Sequence, residues 1–220
     1  MISHKYNCSR QKDKRGVVMQ EQKIGILGMG TVAQGFIKSY LLNKNDIDEK
    51  IGFKLEIVSV LVSNTSKVRD VELEQSVYTD KFSDFNFQEM NIMMELIGGI
   101  SPAYEYIKEA LENGCHVVTA NKELMAKRGN ELIKIARKNG VLLRYEGSVG
   151  GGIPIISTVN DALGGNRIIK LMGILNGTTN YILTKMTRDK ADFETVLKQA
   201  QELGFAESDP TADVDGFDAS

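Results

Sequence analysis

The sequence of 220 residues contains no tryptophan and only two cysteines. It has no dense run of lysine and arginine, and its formal net charge is −2, so its composition gives no support for a nucleic-acid-binding protein. Its uncharged stretches, such as residues 147–160, are too short and too rich in glycine to span a bilayer. Cys8 and Cys115 are poorly placed to pair, which fits a reducing compartment. We therefore expect a soluble, cytoplasmic protein whose partners include neither nucleic acid nor a membrane.

The first 22 residues are rich in Lys, Arg, Gln, Ser and Asn and have no long apolar core. This composition excludes a secretory signal, and we predict a disordered leader over residues 1–22. The chain as a whole has 42% hydrophobic and 25% charged residues, which is typical of a globular protein. Its length allows one large domain or two unequal ones.

Strands and helices are predicted to alternate over residues 23–147. Short apolar runs predict strands at 23–27, 55–62, 91–96, 115–119 and 141–145. Apolar residues at helical spacing predict helices at 31–42, 103–112 and 122–138. In the first of these helices the spacing is formed by Val32, Phe36, Ile37 and Tyr40. Such alternation implies parallel strands joined by right-handed crossovers, so we predict an α/β fold with a doubly wound, Rossmann-type sheet.

The pattern changes after a glycine-rich segment at residues 147–152, which offers a hinge. We place the domain boundary there, with a nucleotide-binding domain at 23–147 and a substrate domain of α+β type at 148–220. In the second domain the sequence predicts helices at 153–163, 178–186 and 193–203 and a strand at 168–175. Residues 213–220 are predicted to be the first turns of a helix with no closing signal, so we expect this domain to be incomplete.

The segment from Gly28 to Ala33 matches the pattern G-x-G-x-x-G/A directly after a strand and at the start of a helix. In such motifs the first glycine permits a tight turn, and the second, Gly30, lets the backbone approach a pyrophosphate. Thr31 and Val32 open the helix whose N-terminus faces the negative charge, and we include them among the cofactor contacts. A tight turn without a ligand is the alternative. The motif predicts a dinucleotide cofactor.

The end of the second strand bears on the choice between NAD and NADP. An acid there would bind the ribose 2′-hydroxyl of NAD, but this strand ends in Val62, Ser63 and Asn64. Lys67 and Arg69 follow, and either can bind a 2′-phosphate, although both can equally be solvated loop charges. We predict contacts from Ser63 and Lys67, and NADP rather than NAD.

Two further features suggest a reaction site. Lys122 stands at the N-terminus of a predicted helix, where the helix dipole disfavours a cation, so its presence at a cleft suggests use as a hydrogen-bond donor to a carbonyl oxygen. An exposed lysine without a role is the alternative. Residues 201–220 contain six acids and no base, which fits either a solvated surface or a binding site for a cationic group.

Three blocks follow the nucleotide motif in order: residues 147–154, 173–180 and 206–213. With Gly28 and Gly30 they resemble homoserine dehydrogenase from about Lys23 to Ser220. The resemblance implies reduction of L-aspartate 4-semialdehyde to L-homoserine with NAD(P)H, in threonine, methionine and isoleucine biosynthesis. It also implies an amino-acid substrate and a homodimer in the full-length enzyme.

The same resemblance implies roles for individual residues. Gly98 is expected under the nicotinamide half of the cofactor, and Lys122 at the border of the active site, where it is expected to contact the cofactor as well. The substrate contacts implied by the resemblance are Gly177, Thr178, Glu207 and Asp213, although Thr178 can also be a helix cap. Asp218 is implied to assist proton transfer. The resemblance implies a monovalent cation such as sodium, surrounded by the backbone carbonyls of Glu146, Val149, Gly151 and Ile153. The glycines of this segment are explained equally well by a hinge without an ion.

The sequence departs from the family at one point. The resemblance implies a second catalytic lysine about one helical turn after Asp218, beyond Ser220, so we expect a truncated chain of low activity. The alternatives are another Rossmann oxidoreductase acting on an amino acid or semialdehyde, and a nucleotide-binding protein without turnover. An EF-hand at 211–216 is disfavoured because Thr211 stands where the pattern needs an acid and no distal Glu follows.

Overall fold

The computed structural model describes residues 11–12, 18–71, 73–174, 176–206 and 210–216. The chain divides into two compact units, Met1–Gly151 and Gly152–Ser220. The proposed domain assignment, with its boundary between residues 147 and 148, stays a prediction. Within the expected leader, residues 11–12 and 18–22 form strands, and Met19 is buried.

The first unit is built on one sheet. Its strands are Gln11–Lys12 (β1), Val18–Leu27 (β2), Phe53–Leu61 (β3), Tyr78–Thr79 (β4), Ile92–Glu95 (β5), His116–Thr119 (β6) and Leu143–Arg144 (β7). Six strands run parallel in the order β4-β3-β2-β5-β6-β7, and β1 pairs antiparallel with β2. This confirms the predicted doubly wound fold, whose strand order reverses between β2 and β5.

Side chains that alternate along the strands cover both faces of the sheet. Ile24 and Ile26 of β2 pack with Ala33 and Ile37 on one face. Leu27 belongs to the core of the opposite face, which also holds Met93 of β5. Helices therefore cover the sheet on both sides, and the edge formed by the carboxyl ends of the strands stays available for ligands.

The helices of the first unit are Thr31–Leu42 (α1), Lys44–Ile51 (α2), Ala103–Glu112 (α3) and Lys122–Asn139 (α4). Val32 does not belong to the apolar face of α1, because its side chain is 60% exposed. Helix α2 was not predicted from the sequence, because it holds few apolar residues. Its Lys44 donates to the Leu55 carbonyl of β3 at 3.2 Å, and its Asp48 accepts from the Tyr40 hydroxyl of α1 at 3.2 Å. The polar side chains of α2 thus fasten it to α1 and β3.

The second unit holds the helices Ile155–Ser157 (α5), Gly177–Asp189 (α6), Phe193–Glu202 (α7) and Thr211–Val214 (α8). The predicted helix at 153–163 is shorter, because α5 widens into a π-helical turn at Thr158–Ala162. The predicted strand at 168–175 is wrong for the described residues 168–174, which pair with no strand and are exposed. The predicted helix at 213–220 begins earlier, at Thr211, and ends by Asp215, since Gly216 adopts a φ of 78°. None of the helices in the described ranges is long and apolar enough to cross a membrane.

The thiol of Cys115 is expected to be inert in the folded protein. Its side chain is fully buried, and burial raises its pKa to about 12, so thiolate is scarce near neutral pH. A Cys8→Ser variant isolates this thiol. We expect no reaction with Ellman's reagent at about pH 8 until guanidinium unfolds the chain. Rapid labelling without denaturant would contradict the burial of Cys115.

Candidate functional site

The turn after β2 requires glycine at position 28. Gly28 has a φ of 92°, and its N–H donates to the Leu61 carbonyl of β3 at 2.9 Å. A Cβ at this position would lie 2.9 Å from the Leu96 carbonyl oxygen and from Ile97 Cγ2. Both the conformation and the packing exclude a side chain, so Gly28 shapes the loop.

Gly30 has a different environment. It is the N-cap of α1 with φ −82° and ψ −167°, and a Cβ built on it would meet no atom within 4 Å. The first turn of α1 carries no acidic side chain, and Thr31 and Val32 are exposed. Ala33 is fully buried, which allows α1 to pack closely on the sheet. Open space in front of free helix amides suits a pyrophosphate, so these residues fit the predicted cofactor.

The loop after β3 is organised by Arg69. Its guanidinium donates to the carbonyls of Lys67 and Asn64, each at 2.7 Å, and stacks over the Tyr78 ring. Ser63 and Lys67 are exposed on the same loop. Of the two basic residues considered for a 2′-phosphate, Arg69 shapes the loop, and Lys67 is the one with an exposed side chain.

Gln34 links this loop to the glycine turn. Its side-chain oxygen accepts from the Asp70 N–H at 3.2 Å, and its amide nitrogen donates to the Met29 carbonyl at 3.4 Å. Gln34 was not predicted as a site residue. Its position one helical turn after Gly30 is a signal that the sequence contains. Its bond to Asp70, which is 36 positions away, cannot be predicted from the sequence.

A buried carboxylate lies at the end of β5. Glu95 is 0% exposed and accepts from the N–H groups of Ile97 and Gly98, both at 3.0 Å. Its other oxygen accepts from the Thr119 hydroxyl of β6 at 2.6 Å. The predicted contact Gly98 is therefore held by a residue to which the sequence analysis gave no role. An acid inside an apolar run was the only signal.

Hydrogen bonds from the end of β6 fix the start of α4. Asn121 caps the helix by accepting from the Leu124 N–H at 3.1 Å, and its side-chain nitrogen donates to the Gly99 carbonyl at 2.6 Å. Lys122 is the first residue of α4 and is exposed. The Ser148 hydroxyl donates to the Thr119 carbonyl at 3.3 Å. The loop that contains Gly98 and the start of α4 at Lys122 are thus joined by hydrogen bonds at the carboxyl edge of β5 and β6.

In the second unit, hydrogen bonds bring Asp213 to the start of α6. The Asn176 side chain donates to Asp213 Oδ1 at 2.7 Å and accepts from the Thr179 N–H at 2.6 Å. Asn176 is therefore the helix cap, and not Thr178. The buried Thr178 hydroxyl donates to the Phe205 carbonyl at 2.5 Å, and Gly177 is exposed. Asn176 was not predicted as a site residue, because its bond to Asp213 joins positions that are 37 residues apart in the sequence.

The structure does not test the predicted roles of Glu207 and Asp218 or the predicted cation site. Glu207 and Asp218 lie outside the described residues. The Glu146 carbonyl accepts from the Val149 N–H at 3.3 Å, and the Ile153 carbonyl accepts from the Ile155 N–H at 2.8 Å. In the part of the chain that the structure describes, no three His, Cys, Asp or Glu side chains form a metal-binding group.

Comparison with known proteins identifies the family. A model described as "Homoserine dehydrogenase, NAD binding domain" matches residues 28–146, and one described as "Homoserine dehydrogenase" matches residues 154–220. The chain belongs to the homoserine dehydrogenase family. Within this family it is 44% identical over 203 residues to the Bacillus subtilis homoserine dehydrogenase, a match that covers 92% of the chain and 47% of that relative. The chain spans about half the length of the curated relatives it matches.

Solved homoserine dehydrogenases have the same fold. The one from Thiobacillus denitrificans gives a TM-score of 0.79 at 41% identity, over 91% of this chain and 47% of that one. A hyperthermophilic archaeal homoserine dehydrogenase in complex with NADPH gives 0.74 at 26% identity, over 90% of this chain and 66% of that one. The predicted family resemblance is thereby confirmed.

Proposed function

We propose that the protein to which this chain belongs reduces L-aspartate 4-semialdehyde to L-homoserine with a nicotinamide cofactor, and catalyses the reverse reaction. The observation that carries the proposal is the match of both units to one dehydrogenase family. The open space at Gly30 supports it, because a glycine there serves a bound dinucleotide and has no structural need in this fold.

The bound cofactor supplies a hydride to the aldehyde carbon. The residues of this chain bind the cofactor, orient the substrate and assist protonation of the alcohol oxygen. Amides at the start of α1 hold the pyrophosphate, and Lys122 donates a hydrogen bond to the carbonyl oxygen, on which negative charge develops. Asp218 assists delivery of the proton that completes the alcohol. Gly177, Thr178, Glu207 and Asp213 are the proposed substrate contacts, and the two carboxylates accept from the substrate ammonium group.

The activity assay follows the loss of NADPH absorbance with aspartate semialdehyde and its gain with homoserine and NADP. The 220-residue chain is expected to bind NADPH with little turnover, because it spans about half the length of its relatives. A longer protein that carries this chain is expected to react in both directions. A longer protein that binds NADPH but ignores homoserine would overturn the proposed reaction and leave a nucleotide-binding function.

We also propose NADP as the preferred cofactor, with Lys67 as the residue that recognises its 2′-phosphate. Lys67→Ala is expected to weaken NADPH binding about fivefold and NADH binding less than about twofold, since one exposed charged hydrogen bond is lost. Isothermal titration measures both affinities. Lys108→Ala, an exposed lysine of α3, is the control. Equal losses for both cofactors would contradict the assignment of Lys67.

The family also suggests the setting of the protein. We propose a cytoplasmic homodimer in threonine, methionine and isoleucine biosynthesis that acts on a small molecule and on neither nucleic acid nor a membrane. We further propose that the carbonyls of Glu146, Val149, Gly151 and Ile153 bind sodium. Support comes from the oxygen donors, which suit a hard cation.

A further inference from the structure

We propose that Glu95 is a positioning residue for the nicotinamide half of the cofactor. Its carboxylate fixes the loop that contains Gly98 and, through Thr119, the start of α4 at Lys122. This inference rests on the proposed cofactor binding, because a positioning role requires a ligand to position. Glu95 is a buried acid at a strand position that otherwise suits an apolar residue.

The carboxylate is kept in the core by its hydrogen bonds. Burying a carboxylate is unfavourable unless its oxygens are satisfied. In the described part of the chain, the partners of Glu95 are the two N–H groups of Ile97 and Gly98 and the hydroxyl of Thr119. All three lie on the carboxyl side of β5 and β6, so the interactions serve the loops at this edge and not the interior of the sheet.

The loop needs such an anchor because it has little side-chain packing of its own. Gly98 and Gly99 have φ values of 75° and 70°, and a Cβ on either would meet no atom within 4 Å. Two consecutive left-handed glycines have many accessible conformations in the absence of tertiary bonds. The hydrogen bonds that Glu95 accepts from the N–H groups of this loop select one of these conformations.

The bonds form a closed circuit. Glu95 accepts from Thr119, whose hydroxyl oxygen accepts from the Asn121 N–H at 3.0 Å. The Asn121 side chain donates to the Gly99 carbonyl, and Gly98 next to it donates back to Glu95. Asn121 also caps α4 immediately before Lys122. A change at Glu95 therefore moves the loop of β5 and the loop of β6 together.

The position of the circuit predicts which half of the cofactor depends on it. In doubly wound folds each half of the sheet binds one mononucleotide, and the halves meet where the strand order reverses. Gly30 and Lys67 follow β2 and β3, whereas the circuit joins β5 and β6. Loss of Glu95 should weaken binding of the whole dinucleotide and spare binding of its adenosine half.

The test compares two ligands on the 220-residue chain by isothermal titration: NADPH, and adenosine 2′,5′-bisphosphate as the adenosine half alone. Glu95→Leu fills a similar volume and removes all three bonds. We expect the Kd for NADPH to rise about tenfold or more and the Kd for the bisphosphate to change less than about twofold. Glu95→Gln keeps one acceptor oxygen for the two N–H groups, and its amide can donate to Thr119, so it should restore most of the NADPH affinity.

A second pair of variants serves if Glu95→Leu does not fold. Thr119→Val removes the hydroxyl at constant shape and should weaken NADPH selectively, whereas Thr119→Ser keeps the hydroxyl and should not. Tyr40→Phe, which removes a buried hydroxyl elsewhere in the same unit, should lower stability with no effect on either affinity.

Several results would overturn the inference. Equal losses of both ligands in Glu95→Leu and Thr119→Val would show a merely structural role, and unchanged NADPH affinity would show no role. A parent chain that binds neither ligand would instead contradict the proposed cofactor function itself. The two failures are therefore distinguishable.

Discussion

Gly30→Val is expected to weaken NADPH binding by more than about tenfold and to leave the fold intact. The backbone of Gly30 has φ −82° and ψ −167°, which a valine can adopt, and the added carbons would meet no protein atom within 4 Å of the Cβ position. They would occupy the space that the pyrophosphate needs. Isothermal titration gives the affinity, and thermal unfolding shows whether the fold is retained.

Two other glycines provide matched controls. Gly35 lies on the same helix with equally open surroundings, so Gly35→Ala should raise stability by up to about 1 kcal/mol without changing NADPH affinity. Gly28→Ala should instead destabilise the first unit by roughly 2–4 kcal/mol, because of its positive φ and the close Leu96 carbonyl. Unchanged titration of NADPH by Gly30→Val would refute the cofactor site.

Asp218→Asn is expected to lower kcat about a hundredfold with little change in KM, in a longer, active protein that carries this chain. The substitution removes the group proposed to assist proton transfer in the transition state and keeps the size of the side chain. Steady-state kinetics with homoserine and NADP measure both constants. Full activity in this variant would end the assignment of Asp218.

Glu207→Gln should have the opposite signature, with KM raised about tenfold and kcat nearly unchanged, because it removes a partner of the substrate ammonium in the ground state. The bond from Asn176 to Asp213 supports a binding role for this acidic segment, since it holds one of the acids beside α6. Asp215→Asn is the control, as Asp215 is an exposed acid of the same segment. A loss of kcat equal to that of Asp218→Asn would contradict separate roles for the two acids.

Local signals predicted the first unit well. Helix α3 has the predicted bounds because its apolar face is regular and Asn113 and Gly114 stop it. Helix α2 escaped detection because its stability comes from Lys44 and Asp48 bonded to partners, not from an apolar stripe. The predicted Gly30 site follows from a glycine pattern between a strand and a helix, which is a local arrangement.

Predictions that depend on distant residues were less successful. A mostly apolar run such as 168–174 becomes a strand only if another strand pairs with it, and none does among the described residues. The role of Glu95 depends on Thr119, which is 24 positions away in the sequence. A single sequence gives residue types along the chain but not which of them meet in the core.

The hydrogen bond from Gly28 to Leu61 has a consequence for how cofactor preference can change during evolution. It fastens the pyrophosphate turn to the last residue of β3, while the residues expected to distinguish NAD from NADP begin at Ser63, just beyond that point. Substitutions in segment 63–69 are therefore expected to change cofactor preference without breaking the bond between Gly28 and Leu61. If the proposed preference for NADP holds, an acid introduced there is expected to favour NAD, and the bond between Gly28 and Leu61 would be retained.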